Sequence, residues 1–282
     1  MSTLGDLGST DGERETLEID LLLEGVFRHY GFDFRQYSRA SITRRLRRRV
    51  ALEGLQSISG LQERLLYDPA CMERLLLDLS INVTAMFRDP SFYRTLRLKI
   101  VPLLRTYPFV RVWNAGCSTG EETYSLAIML REEGLYERSR IYATDINEAV
   151  VQQAKEGLFP LEKMKEYTEN YLAAGGTQEF SQYYVAAYES ARFDRTLQEN
   201  IVFAQHNLAS DRSFNEFHLI MCRNVMIYFD HSLQEHVHRL FYDSLPHLGL
   251  LALGHKESIA FSPHESCYEV LDAQEKLYRK VA

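Results

Sequence analysis

Chemistry is first suggested by a run of small and acidic residues that follows an apolar stretch. Residues 110–113 (Val110, Arg111, Val112, Trp113) have a strand's composition, and Asn114-Ala115-Gly116-Cys117-Ser118-Thr119-Gly120 leads from them into a helix opening on Glu121 and Glu122. In an open α/β sheet, ligands sit at the carboxyl ends of strands, where glycines let the backbone approach them. Such a helix N-terminus favours anions, but Glu121 and Glu122 would repel a pyrophosphate. A sulfonium cofactor with an ammonium-bearing end would not be repelled, which shifts the reading from a dinucleotide to S-adenosylmethionine. A second strand, residues 141–144, ends at Asp145, 25 residues past Gly120, where a carboxylate can accept from both hydroxyls of a ribose. Each feature also has a plain structural reading: a tight glycine turn, acids complementing a helix dipole, an aspartate capping the next helix. Their joint occurrence on successive strands favours the cofactor site.

No metal is expected. His231, His236 and His238 are spaced five and two apart, so no two share a helix face as ligands four residues apart do. These three are read as facing solvent, and His206 and His255, which follow strands, as satisfied core histidines.

The elements that must position these residues fall into three stretches. Residues 1–15 are polar and acidic and read as a disordered tail. Residues 16–80 carry apolar residues at helical spacing (Leu17, Leu21; Ile42, Leu46, Val50; Leu61, Leu65; Leu75, Leu76, Leu79), interrupted near Gly31, Gly54 and Pro69, and predict a small all-α domain. Residues 81–282 alternate short apolar strands with helices, the pattern of a Rossmann-like α/β sheet. Within them, about 165–198 breaks the alternation. Gly175-Gly176 followed by Phe180, Gln182, Tyr184, Ala186 and Tyr188 predicts an inserted small antiparallel β-subdomain.

Composition narrows the function further. Four well-separated cysteines and no apolar leader predict a reduced, cytoplasmic protein, and no stretch approaches the roughly 20 apolar residues of a membrane span. A net charge of −7 argues against a surface built for nucleic acid. The charge is uneven, because residues 28–49 hold eight arginines against the single acid Asp33. With Ile42, Leu46 and Val50 as an apolar stripe, Arg44, Arg45, Arg47, Arg48 and Arg49 are expected on the remaining face, free to dock on an acidic partner or to lie solvated.

Three segments carry a resemblance: Ile81-Asn82-Val83-Thr84-Ala85-Met86-Phe87-Arg88, Ala115-Gly116-Cys117-Ser118-Thr119-Gly120-Glu121-Glu122-Thr123-Tyr124-Ser125, and Cys222-Arg223-Asn224-Val225-Met226-Ile227-Tyr228-Phe229. Together they closely resemble the bacterial chemotaxis receptor methyltransferases (CheR-type), from about residue 17 to the end of the chain. The resemblance implies a class I methyltransferase that transfers a methyl group from S-adenosylmethionine to glutamate carboxylates of chemoreceptors, leaving S-adenosylhomocysteine. It places Asn82, Thr84 and Arg88 at the cofactor's methionine end, Ala115, Gly116 and Glu122 among its contacts, Asp145 at the ribose, Asn207 and Leu208 near the adenine, and Arg223 and Asn224 in the segment closing the site. Arg88 and Tyr228 would flank the transferring methyl.

Met86, Thr123 and Gly254-His255-Lys256-Glu257 depart slightly from the family's usual residues. The Gly175-Gly176-Thr177 stretch lacks the fuller glycine pattern of family members that bind a receptor tail peptide. The implied partner is the cytoplasmic helical region of methyl-accepting receptors, met by a monomer that does not insert in the membrane. Two rivals are a nucleic-acid methyltransferase, disfavoured because the fourth-strand segment Arg223-Asn224-Val225-Met226 lacks the Asn/Asp-Pro-Pro-aromatic stretch used on flipped bases, and a non-catalytic adaptor retaining the cofactor pocket.

Overall fold

The structure, a computed structural model, describes residues 11–80, 84–260 and 262–282. It divides into two compact units, one holding the residues up to 81 together with Tyr228–Leu233, the other the remainder.

The first unit is helical: α1 (Asp11–Tyr30), α2 (Arg39–Leu52), α3 (Ile58–Tyr67) and α4 (Pro69–Leu79). Helix α1 begins at Asp11, so the stretch read as a tail is helical from there on, and residues 1–10 lie outside the described residues. Local chemistry sets the breaks. The Ser57 side chain accepts from the Gly60 N–H to start α3, and Asp68 accepts from Ala70 ahead of Pro69, whose fixed φ suits a first helical turn. Leu22, Leu23, Val26, Ile42, Leu46, Leu61, Leu65 and Leu75 form the buried core.

Two arginines of α2 depart from the expected outward face: Arg45 and Arg49 are only 5% and 8% exposed, whereas Arg44, Arg47 and Arg48 are exposed. Both point into the unit because they find partners there. Arg45 Nη1 donates to the Leu79 carbonyl at the end of α4 (2.5 Å), a group with no partner inside its own helix. Arg49 Nε donates to Asp78 (2.7 Å) and its Nη1 to Glu53 (3.2 Å), which also receives Arg74; these bonds, that of Arg74 foremost, hold the Glu53 carboxyl down to about 2. Arginines are buried where carbonyls and carboxylates converge on several of their donors, which an apolar pattern does not register.

The second unit opens with α5 (Pro90–Thr95) and α6 (Val101–Leu104). It continues through β1 (Val110–Ala115), α7 (Glu121–Glu132), β2 (Ser139–Asp145), α8 (Glu148–Glu156), β3 (Leu158–Pro160), α9 (Met164–Ala173), β4 (Tyr184–Ala187), β5 (Ser190–Phe193), β6 (Ile201–Gln205) and β7 (Leu219–Cys222). After Cys222 come α10 (His231–Ser244), β8 (Leu250–Leu253), β9 (Tyr268–Asp272) and β10 (Leu277–Lys280). Seven strands form one sheet in the order β6-β2-β1-β7-β8-β10-β9. The first five are mutually parallel, and β10 and β9 close the edge antiparallel. Strands β7 and β8 are buried along their whole length, as strands covered on both faces must be.

The inserted subdomain is a second, antiparallel sheet, β3-β5-β4, and it begins at Leu158, earlier than the expected 165. The doublet Gly175-Gly176 follows the end of α9, and the hairpin lies between Ala187 and Ser190. Among the described residues, no helix is long and apolar enough to cross a membrane.

Candidate active site

The order of the large sheet reverses between β1 and β7: β2 and β6 lie to one side of β1, β7 and β8 to the other. Loops leaving the C-terminal ends of such a pair part in opposite directions and leave a crevice, where ligands of open α/β sheets bind. Four of the segments singled out by sequence follow the ends of adjacent strands: Asn207-Leu208 after β6, Asp145 at the end of β2, Gly116 after β1, and Arg223-Asn224 after β7.

The turn after β1 is made possible by Gly116, whose φ is +77°; a Cβ there would lie 2.3 Å from a Val225 methyl, so only glycine admits the chain following β7 so close. The N–H groups of Gly116 and Cys117 donate to the Thr144 carbonyl of β2 (2.7 and 2.9 Å), tying the turn to its neighbour strand.

Asp145 and Glu122 face this turn with different partners. Asp145, 8% exposed, accepts from Ser118 N on Oδ2 (3.0 Å) and from Asn147 N on Oδ1 (3.1 Å), and burial pushes its carboxyl up from the usual range. The Ile146 N–H is a third donor to this carboxylate, which leaves room for one more among its four acceptor positions. Glu122 accepts Asn114 Nδ2 on Oε1 (2.8 Å) and Arg223 Nη1 on Oε2 (2.7 Å). The neighbouring Glu121 is buried, accepts from the Thr119 hydroxyl (2.6 Å), and is raised by burial.

Arg223 is the hub of this network. Its side chain is fully buried, its Nη2 donates to Asp89 (2.8 Å), its guanidinium carbon lies 3.8 Å from the Phe92 ring centre, and its Nε has no partner among the described residues. The Arg88 carbonyl lies 3.5 Å from both terminal nitrogens. Arg88 is half-buried in the turn before α5, between Phe87 and Asp89, both at positive φ.

The structure therefore joins the Arg88 carbonyl, Glu122 and Arg223 through one hydrogen-bonded network, with Ala115 and Gly116 leading into the adjoining turn and Asp145 bonded to that turn at Ser118. Thr84 is half-buried, and Asn82 lies outside the described residues. Beyond β6, Asn207 accepts from Ala209 N (2.9 Å) and Leu208 is buried. Tyr228 belongs to the first unit, where its carbonyl accepts from Ser38 N (2.8 Å) and its ring lies 4.9 Å from the Arg45 guanidinium carbon.

Sequence reasoning overlooked Asn114, Asp89 and Glu257. Asn114 was legible as a polar residue closing an apolar strand; Asp89 and Glu257 act only through contacts remote in sequence. Of the histidines, His231 and His236 are exposed as expected. His238 is buried instead, with burial lowering its pKa to about 4. His255 is exposed and bonded to Glu275 (2.9 Å), not buried, and His206 is buried with Nδ1 lacking a partner among the described residues.

Residues 17–80 match the family model of the CheR methyltransferase all-alpha domain, and residues 82–276 that of the CheR methyltransferase SAM binding domain. The chain belongs to the CheR methyltransferase family. A Pseudomonas putida protein named as a methyltransferase, Cher3, is 49% identical over 269 residues, covering 95% of this chain and 98% of that one. The Salmonella typhimurium chemotaxis protein methyltransferase is 30% identical over 249 residues, 83% of this chain and 81% of that one. A 104.1 kDa Rhodobacter capsulatus protein is 28% identical over 281 residues, and this chain spans 28% of its length.

The CheR chain is thus an enzyme, a protein-glutamate O-methyltransferase of chemotaxis that uses S-adenosylmethionine and methylates chemoreceptors. The carboxylates of Asp145 and Glu122 at its crevice suit a cationic cofactor better than a pyrophosphate. A ligand held by the ionised Asp145 carboxylate would lose affinity as pH falls through that group's raised pKa, sooner than with an exposed aspartate. Calorimetry with S-adenosylhomocysteine at decreasing pH shows this limb in the wild type, and Asp145→Asn lacks it.

Proposed function

We propose that Asn82, Thr84, Arg88, Ala115, Gly116, Glu122, Asp145, Asn207, Leu208, Arg223 and Asn224 hold the cofactor, and that Arg88 and Tyr228 flank the transferring methyl. The observation that carries this reading is the Glu122–Arg223 pair at the point where the strand order reverses, with Asp145 at the end of the neighbouring strand β2. When bound, S-adenosylmethionine supplies an electrophilic methyl on a sulfonium. A substrate glutamate, with a pKa of about 4.3, is already an anion at neutral pH and needs no base. The protein's task is alignment of the carboxylate oxygen with the methyl carbon and sulfur. Arg88 grips the incoming carboxylate by charge-assisted hydrogen bonds, loosely enough to leave an oxygen lone pair reactive, and the Tyr228 hydroxyl orients it.

The substrate in this reading is the acidic, helical cytoplasmic region of a methyl-accepting receptor, met in the cytoplasm by a monomer. All four cysteines are free thiols, as a reducing compartment requires. On α2, Arg39, Ala40, Thr43, Arg44, Arg47 and Arg48 line an open groove of about 790 Å³. Arg39 and Arg47 are paired with Asp20 and Glu15, which leaves Arg44 and Arg48, one helical turn apart, as the charges available to a partner. Reversing both (Arg44→Glu, Arg48→Glu) raises the KM for receptor by about tenfold at low salt and by less at high salt, with cofactor affinity unchanged. An equal effect at both salt concentrations removes the docking face.

The defining experiment incubates the protein with methyl-labelled cofactor and receptor-bearing membranes. Glutamyl methyl esters release the label in mild alkali. Alkali-stable label on protein or nucleic acid would instead support a different methyltransferase, and no label in folded protein a non-catalytic adaptor.

A further inference from the structure

The segment after β7 has an unusual dependence on one distant carboxylate. Glu257, 4% exposed, accepts four backbone N–H groups and, among the described residues, no side chain: Asn224 (3.0 Å) and Gly254 (2.6 Å) on Oε2, Val225 and Met226 (2.8 Å each) on Oε1. Three of the donors are consecutive, and without the carboxylate they would be buried or half-buried polar groups with no ladder to join. They belong to a tightly confined stretch. Asn224 adopts φ +62°, a left-handed conformation that needs surrounding contacts to persist. Val225 presses against the glycine turn after β1, where a Cβ on Gly116 would meet its methyl at 2.3 Å. Arg223, at the start of the segment, pairs with Glu122 and Asp89.

We propose that Glu257 is a positioning residue for methyl transfer: by collecting these N–H groups it fixes the Arg223–Met226 segment against the turn after β1 and so shapes the cofactor crevice from the β7 side. This rests on the assignment of Arg223 and Asn224 to the cofactor site. A carboxylate suits the task because its two oxygens accept two donors each. Glutamine offers a single oxygen and points its NH2 at the other donor pair, so at least two N–H groups lose their acceptor.

The test uses the full chain with Glu257→Gln and, independently, Gly254→Ala. The alanine Cβ would lie 2.6 Å from Glu257 Oε2 and 2.9 Å from Asn224 N, wedging the same contact while leaving the carboxylate in place. In variants with a cooperative thermal transition, affinity for S-adenosylhomocysteine falls at least tenfold by calorimetry. Hydrogen exchange accelerates at Asn224, Val225 and Met226, and the KM for receptor at saturating cofactor stays within twofold of the wild type. If Glu257→Gln does not fold, Gly254→Ala carries the test. Unchanged cofactor affinity in a folded variant, even one with a lowered melting temperature, reduces Glu257 to a structural residue and overturns the proposal. Wild-type protein that is folded yet binds no S-adenosylhomocysteine overturns instead the cofactor-site assignment on which it rests.

Discussion

Replacing Arg223 by methionine lowers folding stability by about 3–5 kcal/mol, the range for removing one partner of a buried ion pair, and abolishes measurable binding of S-adenosylhomocysteine. Methionine keeps much of the volume packed on Phe92, so the loss is chiefly electrostatic. It leaves Glu122 and Asp89 without their cation. Glu122 carries most of the penalty, because its side chain is 15% exposed against 36% for Asp89, which water can solvate in place of the guanidinium. Denaturant unfolding and calorimetry measure the two effects separately. Adding Glu122→Gln and Asp89→Asn to Arg223→Met removes the unpaired charges, recovering much of the stability and none of the cofactor affinity. A triple variant that regained binding would show that Arg223 serves the fold alone.

Arg88→Met and Tyr228→Phe act on the rate instead. The methyl-transfer step depends on holding three atoms in line, and loss of a positioning group in such a step costs on the order of 10²-fold in rate. Arg88→Met is expected to lower kcat/KM for receptor by about 10²- to 10³-fold, since it removes a charge-assisted contact to the carboxylate. Tyr228→Phe keeps the ring beneath the Arg45 guanidinium and the backbone bond to Ser38, so the first unit retains its packing and the loss, about 10-fold to 10²-fold, reports the hydroxyl. Steady-state methylation of a receptor fragment, with cofactor affinity measured in parallel, checks both. A Tyr228→Phe enzyme with wild-type kcat would remove that residue from the catalytic pair.

The α/β part of the chain was legible because its signals are local. Strand β1, the small-residue turn and the acid-led helix α7 follow one another within about two dozen residues, and the period of apolar residues changes where the helices give way to strands. Asp145 is likewise announced by its position at a strand end. The inserted subdomain was found but misplaced: its first strand, β3, is only three residues long and carries a proline, too short to leave a period, and it is defined by pairing with β5 some thirty residues later.

What the sequence determined by itself, then, was the order of elements, the placement of the singled-out segments at the strand ends, and through three motifs the family. What only tertiary structure decided was which charged groups are buried and what they bind. Arg45 and Arg49 read as surface charge until α4 supplies the Leu79 carbonyl and Asp78; Asp89 and Glu122 meet on Arg223; and Glu257 gathers a loop more than thirty residues behind it in the chain. The physical reason is the same in each case. Apolar periodicity records which face loses water, but a charged side chain is buried only where specific donors and acceptors converge on it, and those come from segments distant in sequence.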